Sequence, residues 1–292
     1  MIKFKHFFYI ALLSVLLYSC DSDNNTVVNF DHEAQEIIDN DSIVKFLMNN
    51  YYDDAVSKEV KPMVAGETSL YDDPKLITKE VKEADIDYKL YYYLINEGTP
   101  AGSTPTGNPT VMDSVYSKYR GQRILEEKKL SDEFDRGTTW FSLNRVIKGW
   151  THAFVHFKGG ENTTPNGGRI EYTGGGKGIL FIPSGLAYRE RGTTGIPQNS
   201  NLIFYIELWD FVEDTDDDND GVPSFFEGLD SNGDLINDDI DEDRVVNYLD
   251  TDDDGDGVLT KDEDANGDGD PRNDFSDPNK PTVPDYLNRD VN

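Results

Sequence analysis

Cysteine is nearly absent from this chain. Of 292 residues only Cys20 carries a thiol, so no internal disulfide can form and other forces must hold the fold. Positive charge is also scarce: 27 Lys and Arg stand against 57 Asp and Glu, a formal net charge of -30. Phosphate binding needs a basic surface, so nucleic acid is excluded as an expected partner. Long apolar runs are missing as well. The stretch from Phe7 to Tyr18 is too short for a comfortable membrane-spanning helix.

What is present begins with that short stretch. Lys3 and Lys5 precede it and Ser19-Cys20 follows it, which reads as a secretory signal over residues 1–19. The ending Leu17-Tyr18-Ser19-Cys20 resembles a bacterial lipobox, in which the cysteine receives lipid. The acidic "DSDNN" after it resembles the export tags of Bacteroidetes surface lipoproteins. These resemblances imply a lipid anchor at Cys20 and a place in the cell envelope, either at the periplasmic or the exposed face of the outer membrane. Residues 20–85 then read as anchor, tether and a helical accessory segment. Asp41 or Ser42 is the expected N-cap of a helix from Ile43 to Asn50, and residues 51–85 show no clear period.

From residue 86 to 213 the pattern changes. "YKLYYYLI", "SVYSKYRG", "GILFIPSG" and "NLIFYIELWDF" are rich in strand formers. "THAFVHF" after Trp150 is the best short helix, and the plan is α+β. Gly98 to Pro109 reads as a loop. Residues 159–178 hold eight glycines and read as an extended hairpin or loop outside the core. His152 and His156 stand four apart on the expected helix, but no carboxylate accompanies them as in a zinc-protease motif.

Three segments in this region, "VIKGW", "IPSGLAYRERG" and "IPQNSNLIFYIEL", supply a Trp, a Tyr, a Phe and branched aliphatics. They offer a shaped apolar pocket rather than bond-breaking chemistry. Together with "SKYRG" and "EFDRG" they resemble the core of the FKBP-type peptidyl-prolyl cis-trans isomerases, in the right order along the chain. The resemblance implies an antiparallel sheet wrapped on a short helix and an isomerase site without cofactor. It assigns the pocket tyrosine to Tyr119, the Phe-Asp pair to Phe134 and Asp135, and the backbone pair at the ligand to Val146 and Ile147. The indole floor falls on Trp150, the hydroxyl donor on Tyr188, and the apolar wall on Ile196 and Phe204. The implied clients are proline-containing unfolded or exported proteins. The chain departs from the family pattern at Thr139, where a wall residue is usual, at Arg189, where a glycine is usual, and at Gln198. A protein that holds peptides without turnover, or acts in adhesion, is the alternative reading.

From Asp214 onward there are 27 acidic and 5 basic residues, so this stretch carries -22 of the net -30. Two segments match a twelve-residue calcium loop of the form D-x-D-x-D-G-x5-E. One is Asp216, Asp218, Asp220, Val222 through its carbonyl, and Glu227. The other is Asp252, Asp254, Asp256, Val258 through its carbonyl, and Glu263. Asp264, Asn266 and Asp268 form a partial copy lacking the closing Glu, and Asp230, Asn232 and Asp234 one lacking the Gly. "VPSFF", "VVNYL" and "VPDYL" recur between them and could supply small cores. The array resembles thrombospondin type 3 calcium repeats, which implies structural Ca2+ in a loop-rich tail over residues 214–292. A disordered acidic tail is the other reading of such charge density.

Overall fold

A computed structural model describes residues 30–99, 107–228 and 238–291. The signal, Cys20 and the partial repeat at Asp230–Asp234 lie outside the described residues, as does most of the 98–109 loop. The elements run in chain order as α1 (His32–Met48), β1 (Asn50–Asp53), β2 (Glu59–Pro62), β3 (Leu76–Glu83), β4 (Ile86–Asn96), β5 (Ser114–Glu126), β6 (Lys129–Leu130) and β7 (Asp135–Ser142). Then follow α2 (Lys148–Phe154), β8 (Glu161–Asn162), β9 (Tyr172–Thr173), β10 (Lys177–Ile182), β11 (Leu202–Val212) and α3 (Ser224–Glu227). Among the described residues, no helix is long and apolar enough to cross a membrane.

The main sheet is antiparallel, in the order β3-β4-β10-β11-β5-β6, with β7 also paired to β5. Its central strands are apolar on both faces, and the continuous runs in the sequence follow from that. Tyr88, Leu90 and Tyr92 of β4, with Leu180 and Ile182 of β10, pack in one cluster with Trp150 and Phe154 of α2 and with Phe157 just beyond it. The alternate residues Tyr91, Tyr93, Ile179 and Phe181 face the other way and meet Ile43, Phe46 and Leu47 of α1. Burying each of those three α1 side chains stabilises the docked helix by about 1.5–3 kcal/mol.

The N-terminal segment therefore differs from expectation. The helix starts at His32, not Ile43, and Asp31 caps it by accepting from the Ala34 N–H at 2.9 Å. It continues through Asp39-Asn40-Asp41-Ser42, poor helix formers, because Asp39 has a tertiary task. Its buried carboxylate accepts from the Ser184 N–H at 2.8 Å and hydroxyl at 2.6 Å, and from Gln35 at 2.8 Å. Ile37 and Ile38 lie outward, 61% and 59% exposed. Residues 50–62 form the β1–β2 hairpin, and β3 joins the main sheet, which thus begins at Leu76, ahead of residue 86.

The short helix forms as expected, though it already contains Trp150. His156 lies beyond its end and stacks on Tyr92 at 4.8 Å. The glycine-rich segment does make the β8–β9 hairpin. Its last glycines, however, are core. Gly175, Gly176 and Gly178 are buried, and a Cβ on Gly175 would lie 2.0 Å from the Leu208 carbonyl oxygen. Here glycine marks close backbone approach rather than a free loop.

Candidate functional site

An open cavity of about 530 Å³ lies between β5, β7, α2 and the loop after β10. That volume suits a small ligand or a side chain of a bound peptide. Tyr119, Phe134, Asp135, Val146, Ile147, Trp150, Tyr188 and Phe204 all line it. Ile196, the ninth residue singled out by resemblance, is buried in the same apolar cluster behind the wall. Strand alternation sends Tyr119 of β5 and Phe204 of β11 to one face. Ile147 is the N-cap of α2, so Trp150 sits in the first turn directly above the sheet.

Trp150 is the hub of the aromatic floor. Its ring meets Tyr119 at 5.1 Å, Phe141 at 5.1 Å, Phe204 at 5.1 Å and Phe154 at 5.2 Å, mostly edge to face. Such pairs contribute about 0.5–1.5 kcal/mol beyond their buried area. Phe134 meets Phe204 at 5.6 Å, and only glycine at 121 permits it: a Cβ there would lie 2.5 Å from Phe204 and 2.7 Å from Phe134.

Phe141 is a lining residue that the sequence reading passed over. It shares a face of β7 with Thr139, while Trp140 points outward, 46% exposed, and stacks on Tyr116. The period of two starting from Thr139 was the available signal. The aromatic wall that Thr139 does not supply is supplied two residues on.

The polar groups are few. The Tyr119 hydroxyl donates to Asp135 at 2.9 Å. Burial, then that hydrogen bond and the Asp135 charge, push the Tyr119 phenol up to about 12. Burial and then Asp135 also raise Tyr188. Both phenols are thus protonated donors at neutral pH. The Tyr188 hydroxyl makes no hydrogen bond among the described residues, so its donor is available to a ligand. Among the described residues, no cysteine, serine or histidine lines the cavity.

Arg189 follows Tyr188 with φ +52°, the left-handed region that favours glycine. Its side chain turns away from the cavity. Nε donates to the Gly185 carbonyl at 3.1 Å, and the guanidinium lies 3.6 Å from Glu83. The substitution strains the backbone without filling the pocket. A second cavity, of about 510 Å³, lies around Tyr52, Lys58, Tyr205 and Lys177. Three of its cations are already paired, Lys58 with Asp54, Lys177 with Glu207 and Arg120 with Glu59 and Glu133.

The acidic tail repeats one local geometry four times. In each loop the first carboxylate accepts from the backbone N–H of position six: Asp216 from Gly221, Asp239 from Arg244, Asp252 from Gly257 and Asp264 from Gly269, at 2.7–3.2 Å. The fifth residue accepts from position seven: Asp220 from Val222, Asp243 from Val245, Asp256 from Val258 and Asp268 from Asp270. Position six has φ between +84° and +100° in all four. The loop at Asp239, Asp241 and Asp243 escaped the sequence reading because Arg244 occupies the glycine position. Its D-x-D-x-D spacing was the signal.

One oxygen from each of Asp216, Asp218 and Asp220 lies within 4.8 Å of the others, and the same holds for Asp239, Asp241 and Asp243 and for Asp252, Asp254 and Asp256. Asn266 stands at the third position of the fourth loop, beside Asp264 and Asp268. Oxygens of Asp218, Asp220, Glu227, Asp252, Asp254, Asp256 and Glu263 are buried without a donor. Burial first, and then neighbouring carboxylates, push Asp218 and Glu263 up to about 8. A donor set of convergent, partnerless carboxylate oxygens fits a hard dication.

The recurring "VPSFF"-type segments do not build apolar cores. Only Val222 and Tyr286 among them are well-buried hydrophobics, while Phe226 and Leu249 are 52% and 39% exposed. What recurs is a polar tie. Asp217 N–H donates to Ser224, Ile240 N–H to Asn247, Asp253 N–H to Thr260 and Ser276 N–H to Asp285. The first loop also touches the cavity's rim: Asp217 accepts from Asn144 at 3.1 Å and lies 3.6 Å from Arg145.

Residues 106–209 match the family model described as FKBP-type peptidyl-prolyl cis-trans isomerase. The FKBP-type peptidyl-prolyl cis-trans isomerase FkpA of Escherichia coli (strain K12) is 35% identical over 103 residues, covering 35% of this chain and 32% of that protein. FkpA of Aeromonas hydrophila is 33% identical over 120 residues, covering 41% of this chain and 37% of its own length. The peptidyl-prolyl cis-trans isomerase FPR2 of Saccharomyces cerevisiae is 32% identical over 102 residues, covering 34% of this chain and 64% of that protein. This chain spans about a third of the length of the FkpA relatives. Its middle part is an FKBP-type isomerase domain, homologous to enzymes of that kind.

Proposed function

We propose that this protein is a peptidyl-prolyl cis-trans isomerase of the cell envelope that assists the folding of exported, proline-containing proteins. The observation that carries the reading is the aromatic cavity with two protonated phenols. The prolyl amide has a rotational barrier of about 20 kcal/mol because of its partial double bond. Twisting removes that resonance and withdraws charge from the carbonyl oxygen, so an apolar surround favours the twisted amide over the planar one. The Trp150 floor and the Phe141 and Phe204 walls hold the pyrrolidine ring, and the Tyr188 hydroxyl donates to a substrate carbonyl. Asp135, held by Tyr119, sets the polar edge. Catalysis of this kind is differential binding of the transition state.

A proline-limited peptide assay on the purified protein tests the reading. Tyr188→Phe removes one donor worth about 1 kcal/mol, so kcat/KM is expected to fall by about fivefold. Acceleration that survives Tyr188→Phe unchanged would take the donor out of the mechanism. Peptide binding with no acceleration in the wild type would leave a holding protein instead of an enzyme.

The tail is read as a calcium-stabilised module, on the support of its donorless carboxylate oxygens. Asp216, Asp218, Asp220 and Glu227 would hold one ion with the Val222 carbonyl. Asp252, Asp254, Asp256 and Glu263 would hold another with the Val258 carbonyl. The ions would supply charge neutralisation and cross-linking, and no step of the isomerisation runs through them.

Cys20 is read as the point of lipid attachment, on the support of the sequence before it. Cys20→Ser is expected to move the protein from the membrane fraction to the soluble one. A variant that stays with the membrane would defeat the anchor.

A further inference from the structure

We propose that Asp220, Glu227 and Asp253 form an additional calcium site that bridges two loops, with Asp220 and Glu227 shared with the ion of the first loop. It deepens the calcium reading of the tail and rests on it. Asp220 and Glu227 belong to the first loop. Asp253 belongs to the third, at the second position, which the pattern leaves without a ligand role.

The three side chains are among the most buried polar groups in the tail, at 0%, 5% and 1% exposure. One oxygen from each lies within 4.8 Å of the other two. Their environment divides the oxygens by task. Asp220 Oδ1 accepts from the Val222 N–H at 2.8 Å, and Asp253 Oδ2 accepts from the Thr260 hydroxyl at 2.9 Å. Those bonds fix the two carboxylates and leave Asp220 Oδ2 and Asp253 Oδ1 without partners. Both oxygens of Glu227 are also buried and without partners, the arrangement a bidentate ligand requires.

Four free oxygens on three buried carboxylates need compensation, because burying uncompensated charge is far costlier than burying a paired one. No lysine or arginine among the described residues makes an ion pair with any of the three. Arg272, which lies over the neighbouring Phe226 ring, is already paired with Asp270 at 2.6 Å. The compensation that fits is a cation. With oxygen donors alone and neither imidazole nor thiolate, the donor set selects calcium over zinc. The site would tie the loop beside the isomerase cavity to the loop at Asp252, past the loop at Asp239, in the place where another domain has an apolar core.

Calcium per chain, measured by equilibrium dialysis on the purified protein, tests the site. Asp253→Asn should lower the bound calcium by one equivalent, and Glu227→Gln, which also removes the closing ligand of the first loop, by at least one. The double variant should lose no more than Glu227→Gln alone, because Asp253 and Glu227 serve the same bridging ion. Wild-type stoichiometry in Asp253→Asn would overturn the bridging site while leaving the loops as calcium sites. No calcium bound by the wild type at millimolar concentration would instead overturn the calcium reading of the tail, and the bridge with it.

If a single variant loses all its calcium through misfolding, terbium luminescence on the otherwise native tail decides. The buried Tyr286 phenol lies in the field of all three carboxylates. It should sensitise an ion bound there. Tyr286→Phe should cut the sensitised emission with the number of bound ions unchanged. Undiminished emission would overturn the bridge.

Discussion

Trp150→Ala is expected to remove most isomerase activity and to lower stability by about 3–5 kcal/mol, the usual cost of truncating a buried Trp. Both effects follow from its place. The indole is 4% exposed and meets four aromatic rings at 5.1–5.2 Å. Without it, Tyr119, Phe141 and Phe204 lose the surface that holds them apart at the cavity floor. The bound pyrrolidine ring loses a contact worth about 1.5–3 kcal/mol, or roughly 10–100-fold in kcat/KM. Urea unfolding and the peptide assay read the two effects separately. Trp150→Phe is the informative partner variant. It keeps an aromatic floor and deletes an indole N–H that is buried without an acceptor among the described residues. It should therefore retain more stability and more activity than the alanine variant. A folded Trp150→Ala protein with activity within twofold of wild type would remove the indole from the pocket account.

Calcium withdrawal is expected to unfold the tail and leave the isomerase sheet intact. The described tail buries Asp220, Asp253, Asp254, Glu263, Asp274 and Asp285 where a domain ordinarily buries leucine and valine. Without cations those carboxylates repel, and burial penalises each charge. Calcium at 100 times its dissociation constant stabilises by about 2.7 kcal/mol per site, provided it does not bind the unfolded chain. Several sites together therefore decide whether the segment folds. Amide exchange with and without a chelator, at constant pH, should show protection across residues 214–228 and 238–291 only with calcium. Protection in β4, β10 and β11 should not depend on it. Equal exchange in the tail under both conditions would mean that the acidic loops do not depend on bound cations for their order.

Local chemistry made part of this protein legible. The strand runs showed themselves because β-branched and aromatic residues cluster in them. The aromatic and polar residues of the cavity showed themselves through the order of short motifs. The aspartate spacing marked the tail, because position six must take positive φ and glycine does so freely. The same rule hid the loop at Asp239. Arg244 sits at φ +84° there, and a search that requires glycine passes over it.

Other features depend on contacts far apart in sequence. Asp39 in the middle of α1 looks like a helix breaker until Ser184 arrives to donate to it. Gly175 looks like loop until Leu208 lies against it. Asp253 looks like a solvated neighbour of Asp252 and Asp254 until Glu227 faces it.

By itself, then, the sequence determined the α+β plan, the isomerase-type motif order and the two complete acidic loops, since each depends on residues close together in the chain. Only the tertiary structure decided that α1 and β3 belong to the main sheet's fabric, that Phe141 completes the wall, that Arg189 turns away from the cavity, and that carboxylates of two loops converge. Each of these depends on which surfaces meet once the sheet is buried on both faces, and no local spacing encodes that.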